Sequence, residues 1–176
     1  IPTGFAALDA LTGCGGVPLG TVTLLSGRTT SGKLTVAYKL LAAAQRDLYG
    51  QAAYAVGLLD LSRTADPDYL DRCGVDLDSL LVGRPKSGPE AVHLLGDMLQ
   101  TQRLRAVVVD SLADLAADRN SLHALHNSLG PIMQRLRAAV GVDDGQTLVD
   151  EQRAGLDVHA GPVGTAMALA RGEREG

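Results

Sequence analysis

The residues best placed to do chemistry lie between Gly27 and Thr35, GRTTSGKLT. Gly27 and Gly32 enclose Arg28, Thr29, Thr30 and Ser31, and Lys33 follows directly. This is the G-x-x-x-x-G-K spacing of a phosphate-binding loop. The glycines let the backbone pass close to a phosphate, and the loop amides point their N–H groups at the anion. Lys33 adds a positive charge for the outer phosphates. The next position departs from the pattern. A Ser or Thr there would offer a hydroxyl to a nucleotide-bound Mg²⁺, and this chain has Leu34. Thr35 carries a hydroxyl one position later, about 100° further round a helix. The pattern therefore keeps phosphate binding and damages the metal site.

Such a loop needs a strand before it and a helix after it. Val22, Thr23, Leu24 and Leu25 read as a buried strand that turns at Ser26 and Gly27. Val36 to Gln45 reads as the helix. Ala52 to Asp60 is a second buried strand ending in an acid, and Ala106 to Val109 is another, with Asp110 at its C-terminal end. Ligands of open α/β sheets gather at such strand ends. An acid there can hold Mg²⁺ through water, or it can cap a following helix. Asp66 and Pro67 suit a helix start, the Asp as cap and the Pro in the first turn.

Further elements complete the alternation. Phe5 to Leu11 reads as a short helical turn and Leu80 to Val82 as a short strand. A helix opens at Ser87, with Val92, Leu95, Met98 and Leu99 facing the core; His93 reads as a surface or satisfied core histidine. Residues 119 to 140 read as a long amphipathic helix interrupted at Gly130-Pro131. Its His123 and His126 lack the companions of a metal site and read as a solvated face. Thr147 to Val149 reads as a fifth sheet strand, short for a central place, and Thr165 to Ala170 as a last strand. The expected fold is α/β, one domain over 1–176 with a mostly parallel sheet flanked by helices. Residues 1–20 form an entry segment, and 154–176 carry little pattern.

Composition limits the classes of function. The 176 residues are 45% hydrophobic with few aromatics, so Leu, Val and Ala must build the core. The net charge of −4 gives no whole-domain basic footprint for nucleic acid. Cys14 and Cys73 stand apart, outside any metal spacing, as suits a reducing compartment. No apolar run nears the roughly 18 residues of a membrane span. The expectation is a cytoplasmic protein with no membrane partner. The chain starts at Ile1, as a fragment would.

Thr3-Gly4, Ala7-Leu8-Asp9, the run Gly13 to Gly16, Val17-Pro18 and Gly20 lead into the phosphate loop. With that loop they resemble the entry to the core ATPase domain of the RecA/RadA recombinases. Gly74-Val75-Asp76 with Asp78, Leu80 and Leu81, and the pair Asp110-Ser111, resemble the same family. The likeness runs from Thr3 to about Arg153. It implies a RecA-like P-loop NTPase core with ATP as cofactor and Asp110 as the Mg²⁺ acid. It also implies that Asp66 bonds the adenine amino group and Tyr69 lies against the adenine face. Asp60 matches the family's strand-end acid. Two residues on, where the family has a water-polarising glutamate, stands Ser62, no general base at neutral pH. Gln152, displaced by about one position, matches the glutamine that senses the terminal phosphate. Residues 154 to 163 fall at the DNA-binding loop, but are few and lack Lys and Arg.

The likeness implies an ATP-binding protein of DNA repair or recombination with weak or absent hydrolysis. Its role would be accessory, comparable to the degenerate RecA-like proteins of the bacterial SOS response. Single-stranded DNA, a protein partner or self-association are the partners implied. An active DNA-dependent ATPase is the alternative, and it needs another carboxylate in place of Ser62. A scaffold that binds no nucleotide is the third reading, against which Lys33, Asp66 and Tyr69 count. The small N-terminal polymerisation domain and the C-terminal domain of RecA are expected to be absent or outside this fragment.

Overall fold

In the computed structural model the described residues are 1–28, 30–46, 54–101 and 103–111, with the backbone of 163–170. The apolar runs become strands of one sheet: β1 Val22–Arg28, β2 Ala55–Asp60, β3 Leu80–Gly83, β4 Leu104–Asp110 and β5 Val163–Ala170. The spatial order is β1-β5-β4-β2-β3. Strands β2, β3 and β4 pair in parallel, while β5 runs antiparallel to both β1 and β4. Strand β1 therefore points the same way as β4, and the sheet is mostly parallel with one reversed strand.

Helices cover both faces, because alternate residues of a strand point to opposite sides. On one face Val56, Leu58, Ala106 and Val108 pack with Ala37, Tyr38, Leu41 and Ala44 of α2 (Lys33–Ala44) and Leu70 of α3 (Pro67–Arg72). On the other, Leu59, Val107 and Val109 pack with Ala91, Val92, Leu95 and Met98 of α4 (Gly88–Gln100). β2 and β4 are thus buried on both sides, which explains their uninterrupted apolar spelling. The helical stripe expected around Val92, Leu95 and Met98 is buried, Leu99 packs at its margin, and His93 is exposed.

Local chemistry sets the ends. Phe5 precedes α1 (Ala6–Leu11), and Thr3 is tied to that helix because its N–H and Oγ1 both donate to Asp9 Oδ1, at 2.8 and 2.7 Å. Those bonds hold the Asp9 carboxyl below its ordinary value. Asp66 caps α3 by accepting from Asp68 N–H at 3.0 Å, with Pro67 in the first turn. Ser87 caps α4, accepting from Glu90 N–H at 3.4 Å. Gln45, buried at the end of α2, makes two bonds to the backbone of Asp76. Its Nε2 donates to the carbonyl at 2.8 Å and its Oε1 accepts from the N–H at 2.9 Å. A side chain thereby stands in for a missing strand partner.

Three expectations change. The strand read as buried is not: β1 alternates between exposed and half-buried residues, Val22 and Leu24 are 36% and 57% exposed, and Leu25 alone of its apolar residues packs against the described core. β1 does not stop at Leu25, because Ser26, Gly27 and Arg28 pair with Thr165, Gly164 and Val163 of β5. The segment expected as a last strand lies second in the sheet, between β1 and β4, and runs in reverse. Thr147 to Val149, expected near that place, and the helix over 119 to 140 lie outside the described residues.

Candidate functional site

Because β1, β2 and β4 point the same way, Arg28, Asp60 and Asp110 end them along one edge of the sheet. The phosphate loop crosses that edge. Gly27 is close to Ser31: a Cβ at Gly27 would meet Ser31 Oγ at 2.6 Å, so that hydroxyl would have to turn aside. Ser31 N–H donates to the Arg28 carbonyl at 3.1 Å, closing the turn. Gly32 sits in left-handed backbone, φ +84°, and starts α2. Lys33 is the first residue of that helix. The N–H groups of the first turn have no partner inside the helix, so they and the ammonium can meet an anion. Arg28, Thr30 and Ser31 are exposed at this rim. Thr29 lies outside the described residues, as does Gln152.

Asp110 is 4% exposed and anchors the acid side. Its Oδ2 accepts from Ser62 Oγ at 2.9 Å and from Thr64 Oγ1 at 3.3 Å, and the two hydroxyls meet at 2.7 Å. Its carbonyl accepts from the N–H groups of Leu61 and Ser62 at 2.6 and 3.2 Å. Burial pushes the Asp110 carboxyl above its ordinary value. Asp60 adds to that rise, while Ser62, Thr64 and the Lys33 charge oppose it.

Asp60 has another task. It is fully buried and accepts Arg84 Nε at 2.9 Å, Thr64 N–H at 3.0 Å and Ala65 N–H at 3.4 Å. Arg84 Nη2 also donates to the Ala65 carbonyl at 3.1 Å. Asp60 thus shapes the loop after β2 and binds Arg84 beyond β3. Leu34 is half-buried and packs on the core, which suits its side chain and supplies no oxygen to the rim. Thr35 Oγ1 and Tyr69 OH share a hydrogen bond of 2.5 Å. Among the described residues no three His, Cys, Asp or Glu cluster as a metal site would need. This donor set does not fit a directly bound Mg²⁺. A metal-bound water at Asp110 would share its carboxylate with Ser62 and Thr64.

Two groups escaped the sequence reading. Tyr38, 2% exposed on α2, meets Tyr69 edge to face at 5.9 Å between ring centres. Burial, with Asp110 and Asp60 adding, pushes its phenol up to about 12, so it stays neutral. Its one signal is a lone aromatic in a helix of Leu and Ala. Arg84 had none, since its partner lies on another strand. Asp66 and Tyr69 do stand at one end of α3, Asp66 exposed and Tyr69 half-buried.

A strand, a glycine loop and a helix with lysine at its first position, with the acid-ended β4 one strand away across β5, define a P-loop α/β core. Residues 1–136 match the RecA N-terminal domain, and the chain belongs to the RecA family. It is 39% identical over 136 residues to Protein RecA of Roseiflexus castenholzii, covering 77% of this chain and 37% of that protein. Protein RecA of Symbiobacterium thermophilum is 41% identical over 115 residues, 65% of this chain and 31% of the relative. The chain thus spans about a third of the length of the curated relatives it matches. Among solved structures, SulA from Pseudomonas aeruginosa overlays 61% of this chain and 85% of its own at 19% identity. Its TM-score of 0.44 is too low to bear on function.

Proposed function

We propose that this chain is the nucleotide-binding core of a RecA-like protein of DNA repair or recombination. It binds ATP, hydrolyses it weakly or not at all, and serves an accessory role in the cytoplasm. The observation that carries the reading is a division within the site. Lys33 and the first turn of α2 are arranged for phosphate, while Asp110 Oδ2 is occupied by Ser62 and Thr64. Gly27 to Thr35 would hold the phosphates, and Asp66 and Tyr69 the base. Binding energy from backbone amides and Lys33 does not require the metal, whereas hydrolysis needs a group to orient water. Ser62 is not such a group, and Asp60 is fully buried and engaged by Arg84 and the loop amides. An active DNA-dependent ATPase would therefore need a carboxylate from elsewhere, such as a neighbouring copy. Gln152 would sense the terminal phosphate in either case. Single-stranded DNA, self-association and a protein partner belong to this proposal through the family relationship.

Calorimetry with ATP, with and without Mg²⁺, tests it, followed by turnover with and without single-stranded DNA. The expected result is binding with little dependence on Mg²⁺ and little turnover, abolished by Lys33→Ala. DNA-stimulated turnover would favour the active enzyme. Unchanged affinity in Lys33→Ala would sink the site, and no binding by the natural sequence would leave the scaffold reading.

A further inference from the structure

We propose that the hydrogen bond between Thr35 and Tyr69 couples base recognition to phosphate recognition, making Tyr69 a positioning residue for the phosphate-binding turn. The inference rests on nucleotide binding as read above and specifies how that site works. Thr35 is the third residue of α2, and its N–H is among those the helix leaves without an internal partner. The same residue's Oγ1 meets Tyr69 OH at 2.5 Å. The base side and the phosphate side of the site therefore join through one bond, 34 residues apart in sequence.

Tyr69 is itself held from several directions. Its ring packs against the core, meets Tyr38 edge to face at 5.9 Å between ring centres and lies 5.6 Å from the Arg72 guanidinium carbon. Its backbone belongs to α3, whose start is set by the Asp66 cap. The ring is thus a stiff post to which the first turn of α2 is tied. Fixing that turn before an anion arrives removes ordering cost from binding. The preceding residue, Leu34, has no hydroxyl to make such a tie and packs on the core. Coupling of this kind is reciprocal: whatever steadies Tyr69 strengthens phosphate binding, and phosphate binding steadies Tyr69 by the same factor.

The test uses inorganic tripolyphosphate and ATP as separate calorimetric probes, on the natural chain, Thr35→Val, Tyr69→Phe and the double variant. Each substitution keeps the shape and deletes one hydroxyl. Either single change should weaken tripolyphosphate about fivefold, the scale of one neutral hydrogen bond. That loss at Tyr69 occurs with no base present to touch the ring. The double variant should be no weaker than either single, because all three lack the same bond. Val92→Ala, on the opposite face of the sheet, controls for general loss of stability and should leave tripolyphosphate affinity unchanged. Unaltered tripolyphosphate binding in Tyr69→Phe, or additive losses in the double variant, would overturn the coupling alone. Failure of the natural chain to bind either probe would overturn both the coupling and the nucleotide reading.

Discussion

At Asp110, burial and the charged form of the carboxyl pull in opposite directions. The carboxyl lies in a buried site next to Asp60, and its proton affinity is raised, first by burial. The folded state therefore favours the protonated acid. The stability this group contributes is full below its ordinary value of 3.8 and fades as pH rises through the raised folded value. Asp110→Asn should remove that loss while keeping an acceptor for Ser62 and Thr64. Thermal melts should show the variant at least as stable as the natural chain at neutral pH, with any advantage shrinking at acid pH. A clear loss of melting temperature at neutral pH would mean that the charge itself holds the loop. Such tension is common where groups are arranged for ligands rather than for the fold.

The secondary elements depend on a few side chains that replace backbone partners. Gln45 closes α2 onto Asp76, just before the 3₁₀ turn Leu77–Ser79 and β3. It is 1% exposed, so its loss leaves the Asp76 amide and carbonyl in a dry place. Gln45→Leu keeps the bulk and removes both bonds. Chemical denaturation should show a loss of about 2 kcal/mol, the cost of stranding buried polar groups. An effect within a few tenths of a kcal/mol would mean that water replaces the amide. β2 depends in the same way on Asp60, whose carboxylate gathers Thr64, Ala65 and Arg84. That engagement places Thr64 beside Asp110, so one strand-end acid positions a hydrogen-bond partner of the other.

At the scale of the whole molecule, four strands share a direction and β5 runs against them between β1 and β4. The phosphate loop and the acid-ended strand are thus linked through a reversed neighbour. The described helices stack on both faces, and none is long and apolar enough to cross a membrane. The chain's net charge of −4 offers no general attraction to nucleic acid. If single-stranded DNA is bound, local cationic groups such as Arg28 at the rim must carry it. Affinity should then fall steeply as salt rises, because phosphate contacts release counterions. Titration of labelled single-stranded DNA at several salt concentrations checks this, and a salt-independent signal would point away from DNA.

The sequence by itself determined the glycine turn between β1 and α2, the strand-end acids Asp60 and Asp110, the Asp66 cap and the buried faces of β2, β4 and α4. Each of these is written in local spacing: glycines at fixed intervals, acids closing apolar runs, and side chains recurring at two or at three and four. Leu34 and Ser62 likewise stood out as wrong residue types at legible positions. Only the tertiary structure decided what the acids touch. Arg84 on Asp60, Ser62 and Thr64 on Asp110, and Thr35 on Tyr69 are partners from different elements, and no local pattern encodes such pairings. The place and direction of β5 were decided in the same way, because a strand's spelling does not record which neighbour it meets.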